Sequence, residues 1–136
     1  MVKAQIPVDL RHSLDFLVRP EHTTSHLDAR LPDVLATNVI VLWMETVAAL
    51  AVQPYLRDGY ITVGIRIDLE HLAFTPINDI LHIEANISQI QGSFIDYNLV
   101  AVNNMETVGK AKHRRAIVSP KLIQRQILKK NRLVLT

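Results

Sequence analysis

Val39-Ile-Val-Leu-Trp-Met-Glu-Thr-Val-Ala-Ala-Leu-Ala-Val52 has only two polar residues, Glu45 and Thr46, and Pro54 stops it two positions later. Its β-branched beginning would suit a strand, but the length and the Ala-rich second half favour a helix. A helix apolar on nearly every side is expected to be buried rather than laid on a surface. Just before it, Ala36-Thr37-Asn38 offers side-chain oxygens to the free N–H groups of a first turn, which predicts an N-cap there.

On either side of this helix the period changes to two. Ser13 to Val18 alternates weakly and ends at Pro20, a short first strand, and the polar stretch His22 to Asp33 is expected to be a loop or lid. After Arg57-Asp58-Gly59, Ile61, Val63, Ile65, Ile67 and Leu69 alternate with Thr62, Gly64, Arg66, Asp68 and Glu70, which predicts a long half-buried strand. Leu81, Ile83, Ala85 and Ile87 form the next apolar series, and Gln91-Gly92-Ser93 is a tight turn. Ile95, Tyr97, Leu99 and Ala101 continue the pattern, Asn103-Asn104 turns again, and Val108 to Val118 closes an antiparallel meander. A sheet with one apolar face must cover that face, and the 39–52 helix is the only large apolar object available. The expected fold is therefore α+β, a hotdog arrangement with an antiparallel sheet wrapped around one central helix. Open sheet edges invite pairing, so a homodimer is expected.

Composition narrows the chemistry. The chain has 136 residues, 49% hydrophobic and 21% charged, with a formal net charge of +2 and a mean hydropathy of +0.15, which suits one folded domain over residues 1–136 and excludes a disordered chain. It has no cysteine, so disulfide scaffolds, thiolate metal sites and cysteine nucleophiles are excluded. Aromatics are 5% of residues, too few for a nucleic-acid stacking platform. No signal-like N-terminal run is present, and the longest apolar stretch falls short of the roughly twenty residues of a membrane span. A soluble, cytoplasmic protein without nucleic-acid or membrane partners is expected. The tail 120–136 is basic and amphipathic, and the plain reading is a solvated C-terminal helix. No metal-ligand spacing appears: His22 and His26 are four apart, but in a loop.

Candidate chemistry starts at Glu45. A carboxylate in an apolar helix is costly when ionised and unpaired, so it is either a structural group paired with an arginine or a base or nucleophile at neutral pH. His71 continues the parity of Ile61 to Leu69, which places an imidazole on the inward face beside that carboxylate. Thr37 suits an N-cap, or a hydroxyl positioning a group near helix N–H donors that would also hold an oxyanion. Eight residues separate it from Glu45, about 12 Å of helix, so spacing alone makes no pair. In the last strand Gly109, Ala111, His113, Arg115 and Ile117 share one face, and Lys110, Lys112 and Arg114 the other. Inward Arg115 needs an anion, either Glu45 or a ligand phosphate; the outward bases form a solvated face or a cluster for coenzyme A phosphates.

These residues resemble the fluoroacetyl-CoA thioesterase family of hotdog proteins. The likeness is carried by Pro32-Asp-Val-Leu-Ala-Thr37, Met44-Glu45, Ala51-Val-Gln-Pro-Tyr-Leu56, Gly64, Glu70-His71-Leu-Ala-Phe-Thr-Pro76 and Arg115-Ala-Ile-Val118, in order, from about Asp15 to Ser119. The resemblance implies hydrolysis of an acyl-CoA thioester with Thr37, Glu45 and His71 catalytic. It also implies a thioester near Gly64, an assisting Arg115 and a substrate-facing lid at Leu31, with no cofactor beyond the coenzyme A of the substrate. The family's fluoroacetyl-specific member carries lid phenylalanines before the threonine, whereas Leu27-Asp-Ala-Arg-Leu31 has no aromatic. A different small or medium acyl group is therefore expected. The competing readings are a non-catalytic acyl-CoA binding protein and a hydratase; the hydratase arrangement of an Asp and a His on the central helix is absent here, because the 39–52 helix has no histidine.

Overall fold

The apolar run folds as α1 (Thr37–Val52), prolonged by a 3-10 turn at Gln53–Tyr55. The structure is a computed structural model that describes residues 5–135, with side-chain surroundings for 5–132. Ile40, Trp43, Met44, Val47, Ala48, Ala51 and Val52 are buried, a stripe recurring every three to four residues. Burial all round does not hold: Leu42 is 60% exposed and Leu50 48%, because the sheet covers only one side of α1. The helical run 37–55 is long and apolar enough to cross a bilayer by length and composition, and its apolarity is used in the core.

The predicted N-cap is displaced. Ala36, in extended conformation, caps the helix without any side-chain bond, and Thr37 is the first helical residue. The sequence reading expected Thr or Asn oxygens to serve the helix; instead Ala36 N donates to the His22 carbonyl, which anchors the entry from outside.

Around α1 lie β1 (Arg11–Leu17), β2 (Ile61–His71), β3 (Ile80–Gln91), β4 (Phe94–Val102) and β5 (Thr107–Val118). They form one antiparallel sheet in the order β1-β3-β4-β5-β2. The expected meander is β3-β4-β5. Gly92 opens the β3–β4 turn with φ +60°, the backbone that a two-residue hairpin asks of glycine. Leu81, Ile83, Ala85, Ile87, Ile95, Tyr97, Leu99 and Ala101 all face the core. A fully buried Leu or Ile contributes about 1.5–3 kcal/mol.

The parity of β2 needs correction. Gly64 pairs with Arg115 and Arg66 with Arg114, so Ile65 is an extra, bulged residue. Before the bulge Thr62 and Gly64 face inward, opposite Ile117 and Arg115; after it Ile67 and His71 face inward, opposite His113 and Gly109. The inward placement predicted for Ile61, Val63 and Ile65 is thus overturned, and Ile61 and Ile65 are exposed. The prediction for His71 stands because the bulge restores the frame.

The segment between β1 and α1 holds 3-10 turns at Pro20–His22 and Thr24–His26. It is folded on itself: Thr24 N donates to the Val34 carbonyl, and Arg30 grips Asp28. Phe16 stacks on Trp43 at 4.7 Å between ring centroids, and His22 meets Trp43 edge-on at 4.9 Å. After β5, α2 (Pro120–Leu135) turns the basic tail into a helix whose residues 124–132 are all exposed.

Candidate active site

Two clusters form, one at the middle of α1 and one at its N-terminus, and the β2 bulge builds the first. It turns Gly64 inward beneath Glu45, where a Cβ at this position would overlap Glu45 Oε2. Only glycine leaves that space open. Across the strand pair Arg115 lies buried, and its donors converge on named acceptors. Nε donates to Thr62 Oγ1 (2.8 Å) and Nη2 to the Thr62 carbonyl (3.0 Å). Nη1 donates to Glu45 Oε2 (3.1 Å) and faces His113 Nε2 (3.2 Å). The anion that inward Arg115 required is therefore Glu45.

Glu45 is ion-paired and its side chain is 38% exposed, where the sequence predicted enclosure in an apolar interior. The difference follows from the uncovered side of α1. Oε2 is held by Arg115, whereas Oε1 has no hydrogen-bond partner among the described residues. A carboxylate with one oxygen anchored and the other open can accept a proton from water or attack a carbonyl.

The second cluster joins Thr37, at the start of α1, to His71, at the end of β2. Thr37 Oγ1 and His71 Nδ1 lie 2.8 Å apart. Freed from capping, the hydroxyl fixes the ring. His71 Nε2 is buried without a hydrogen-bond partner among the described residues, and an orphaned imidazole nitrogen is poised for a group arriving from outside. Burial pushes the His71 pKa below its ordinary value, with the Ala73 carbonyl opposing. The ring is therefore neutral near pH 7.

The structure brings Thr37 to His71 and Glu45 to Gly64 and Arg115, but it does not bring the two groups together within one chain. Thr37 and Glu45 are about 12 Å apart along the helix, and Gly64 and His71 roughly 20 Å apart along the strand. Leu31 lies in the 20–34 segment, 43% exposed. The outward bases of β5 are matched by acids: Arg114 is bidentate with Asp96 (2.7 and 3.0 Å), Lys112 sits opposite Asp68 and Lys110 opposite Glu70. His113, which the sequence placed only on the inward face, proves part of the Glu45 cluster. Its parity was the one available signal. Among the described residues no group of three or more His, Asp or Glu is placed to hold a metal ion.

An antiparallel sheet holding one apolar helix is the hotdog fold, and the relatives that share it mark the chain as a thioester hydrolase. The chain belongs to the fluoroacetyl-CoA-specific thioesterase family, whose model matches residues 18–121. It is 29% identical over 123 residues to the fluoroacetyl-CoA thioesterase of Streptantibioticus cattleyicolor, covering 86% of this chain and 88% of that protein. A solved structure of a fluoroacetyl-CoA thioesterase superposes with a TM-score of 0.88 at 27% identity, covering 93% of this chain and 98% of the other. A Thermus thermophilus thioesterase superfamily member superposes at 0.89 with 20% identity over 97% and 98% of the two chains, a likeness of fold.

Proposed function

We propose that this protein hydrolyses a small or medium acyl-CoA thioester to the free acid and coenzyme A, with Glu45 acting at the thioester carbonyl. The observation that carries this reading is the Glu45 carboxylate, seated over Gly64 with Oε2 tied to Arg115 and Oε1 open. As a base, Oε1 takes a proton from water while the water oxygen attacks the carbonyl carbon. The C–S bond then breaks and the proton passes to the departing thiolate. As a nucleophile, Oε1 itself attacks, coenzyme A leaves, and water cleaves the resulting mixed anhydride. Arg115 positions Glu45 in either case, since its donors are committed within the protein. Thr37 orients His71, whose Nε2 serves the carbonyl oxygen or the attacking water. The segment around Leu31 lines the acyl end and has no aromatic ring, which supports an acyl group other than fluoroacetyl.

The working unit is a homodimer. β2 is an edge strand. Antiparallel pairing of β2 with the same strand of a second copy, centred between Ile67 and Asp68, sets Gly64 of each subunit opposite the partner's His71. That pairing would unite Glu45 with an imidazole that its own chain holds at a distance. The acyl-CoA substrate supports a cytoplasmic setting, and the chain reads as one thioesterase-like domain carrying a basic C-terminal tail.

Release of free thiol from a panel of acyl-CoA thioesters, in wild type and Glu45→Gln, tests the reading. Turnover by wild type and its loss in Glu45→Gln is the expected result. Saturable acyl-CoA binding without thiol release would favour a binding protein instead. Sedimentation of Ile65→Glu, which charges the exposed edge of β2, is expected to give monomers that lack activity.

A further inference from the structure

We infer that His113 is a positioning residue for the reaction: as a neutral imidazole its Nε2 accepts a hydrogen bond from Arg115 and so fixes the guanidinium that orients Glu45. This rests on Glu45 acting at the thioester as proposed above.

The geometry sets the tautomer. His113 is buried, and its Nδ1 lies 2.7 Å from the Arg66 carbonyl. A carbonyl oxygen only accepts, so Nδ1 carries the proton. In a neutral ring Nε2 then presents a lone pair, and it faces Arg115 Nη1 at 3.2 Å. That same Nη1 holds Glu45 Oε2 at 3.1 Å. The carbonyl that orients His113 belongs to Arg66, the residue directly after the bulged Ile65. The irregularity that opens space at Gly64 therefore also anchors the ring two positions along β5 from Arg115. Burial pushes the His113 pKa down, with the Arg66 carbonyl opposing, and Tyr97 stacks on the ring at 5.9 Å between centroids.

Without His113, Arg115 keeps both contacts to Thr62 but loses the acceptor that sets the angle of Nη1. The guanidinium then pivots about Nε and Nη2, and the Glu45 carboxylate follows it. The consequence falls on turnover, because Glu45 acts on the bound thioester and does not hold coenzyme A.

Three substitutions separate positioning from packing. His113→Gln has an amide oxygen that reaches the place of Nε2; His113→Asn is too short to reach it; His113→Phe fills the volume with no acceptor. Losing a hydrogen bond to a charged group predicts about a tenfold fall in kcat for the Asn and Phe variants, with KM within about twofold, and recovery to within about threefold of wild type for Gln. Equal kcat for Gln and Asn among correctly folded proteins, or wild-type kcat in Phe, would overturn the inference. Imidazole nitrogen NMR of the wild-type protein needs no variant: a neutral ring protonated at Nδ1 is expected, and protonation at Nε2 would refute the arrangement. Absence of thioester turnover in wild type would instead remove the functional reading while leaving the tautomer measurable.

Discussion

Gly64→Ala probes the seat beneath Glu45. The Gly64 backbone lies outside the left-handed region, so alanine takes it without strain. The new methyl would overlap Glu45 Oε2 and sit 3.2 Å from Glu45 Cδ and 3.3 Å from Arg115 Nη1. Glu45 is the flexible party, since its side chain is 38% exposed on the open side of α1. It swings outward and leaves Arg115. Loss of a charged hydrogen bond costs about 1.5–3 kcal/mol, and alanine in a strand returns about 0.5–1 kcal/mol over glycine. The net cost to stability is therefore about 1–2 kcal/mol, or roughly 3–8 °C in Tm. Activity suffers more, because displacing a reacting group by about 1 Å costs about 100-fold in rate. Thiol release from the best acyl-CoA, followed beside a thermal melt, reads both quantities. A Gly64→Ala protein with kcat within about twofold of wild type would refute the reasoning, because the carboxylate would then not need its present seat.

Thr37→Ala removes the hydroxyl that fixes His71 and is expected to lower kcat by about 100-fold, whereas Thr37→Ser retains most turnover; equal losses in a thiol-release assay would contradict this. His71 and His113 both have pKa values pushed down by burial, so at mildly acidic pH the unfolded chain binds more protons than the folded one. Stability contributed by these neutral rings is present above the ordinary histidine value near 6.5 and is lost as pH falls below it, so Tm measured by calorimetry should drop across that range. His113→Gln should flatten that drop. Ile83 is fully buried, and Ile83→Ala is expected to cost about 2–5 kcal/mol in urea denaturation with no shift in KM.

Most of the fold was legible because burial writes itself as period. The β3, β4 and β5 series face the core as read, and the 39–52 run is the helix that packs on them. Three features escaped. The N-cap falls on Ala36, and the Thr37 hydroxyl that was expected to serve the helix meets His71 instead. The β2 bulge inserts a residue with no sequence mark, since Ile65 looks like one more apolar member of its series; pairing with β5 reveals it. The open side of α1 escaped because Leu42 and Leu50 are as apolar as the buried members of the helix, and composition does not say how far a sheet reaches. In the site, Glu45 and His71 stood out as polar groups on apolar faces. That Arg115 serves Glu45 was one of two open alternatives, and distances settled it. His113 was hidden because its role depends on Arg66 and Glu45, 47 and 68 positions away in the chain, meeting it in space.

Trp43 is the sole tryptophan, wedged between Phe16 of the first strand and His22 of the segment leading to α1. Nature has thus installed an optical reporter where that segment meets the core helix. Selective excitation of this indole reads any parting of the contact without a dye. Emission recorded while ligand is titrated would turn movement of the entry segment into a signal on the timescale of mixing, independent of whether a bond is broken.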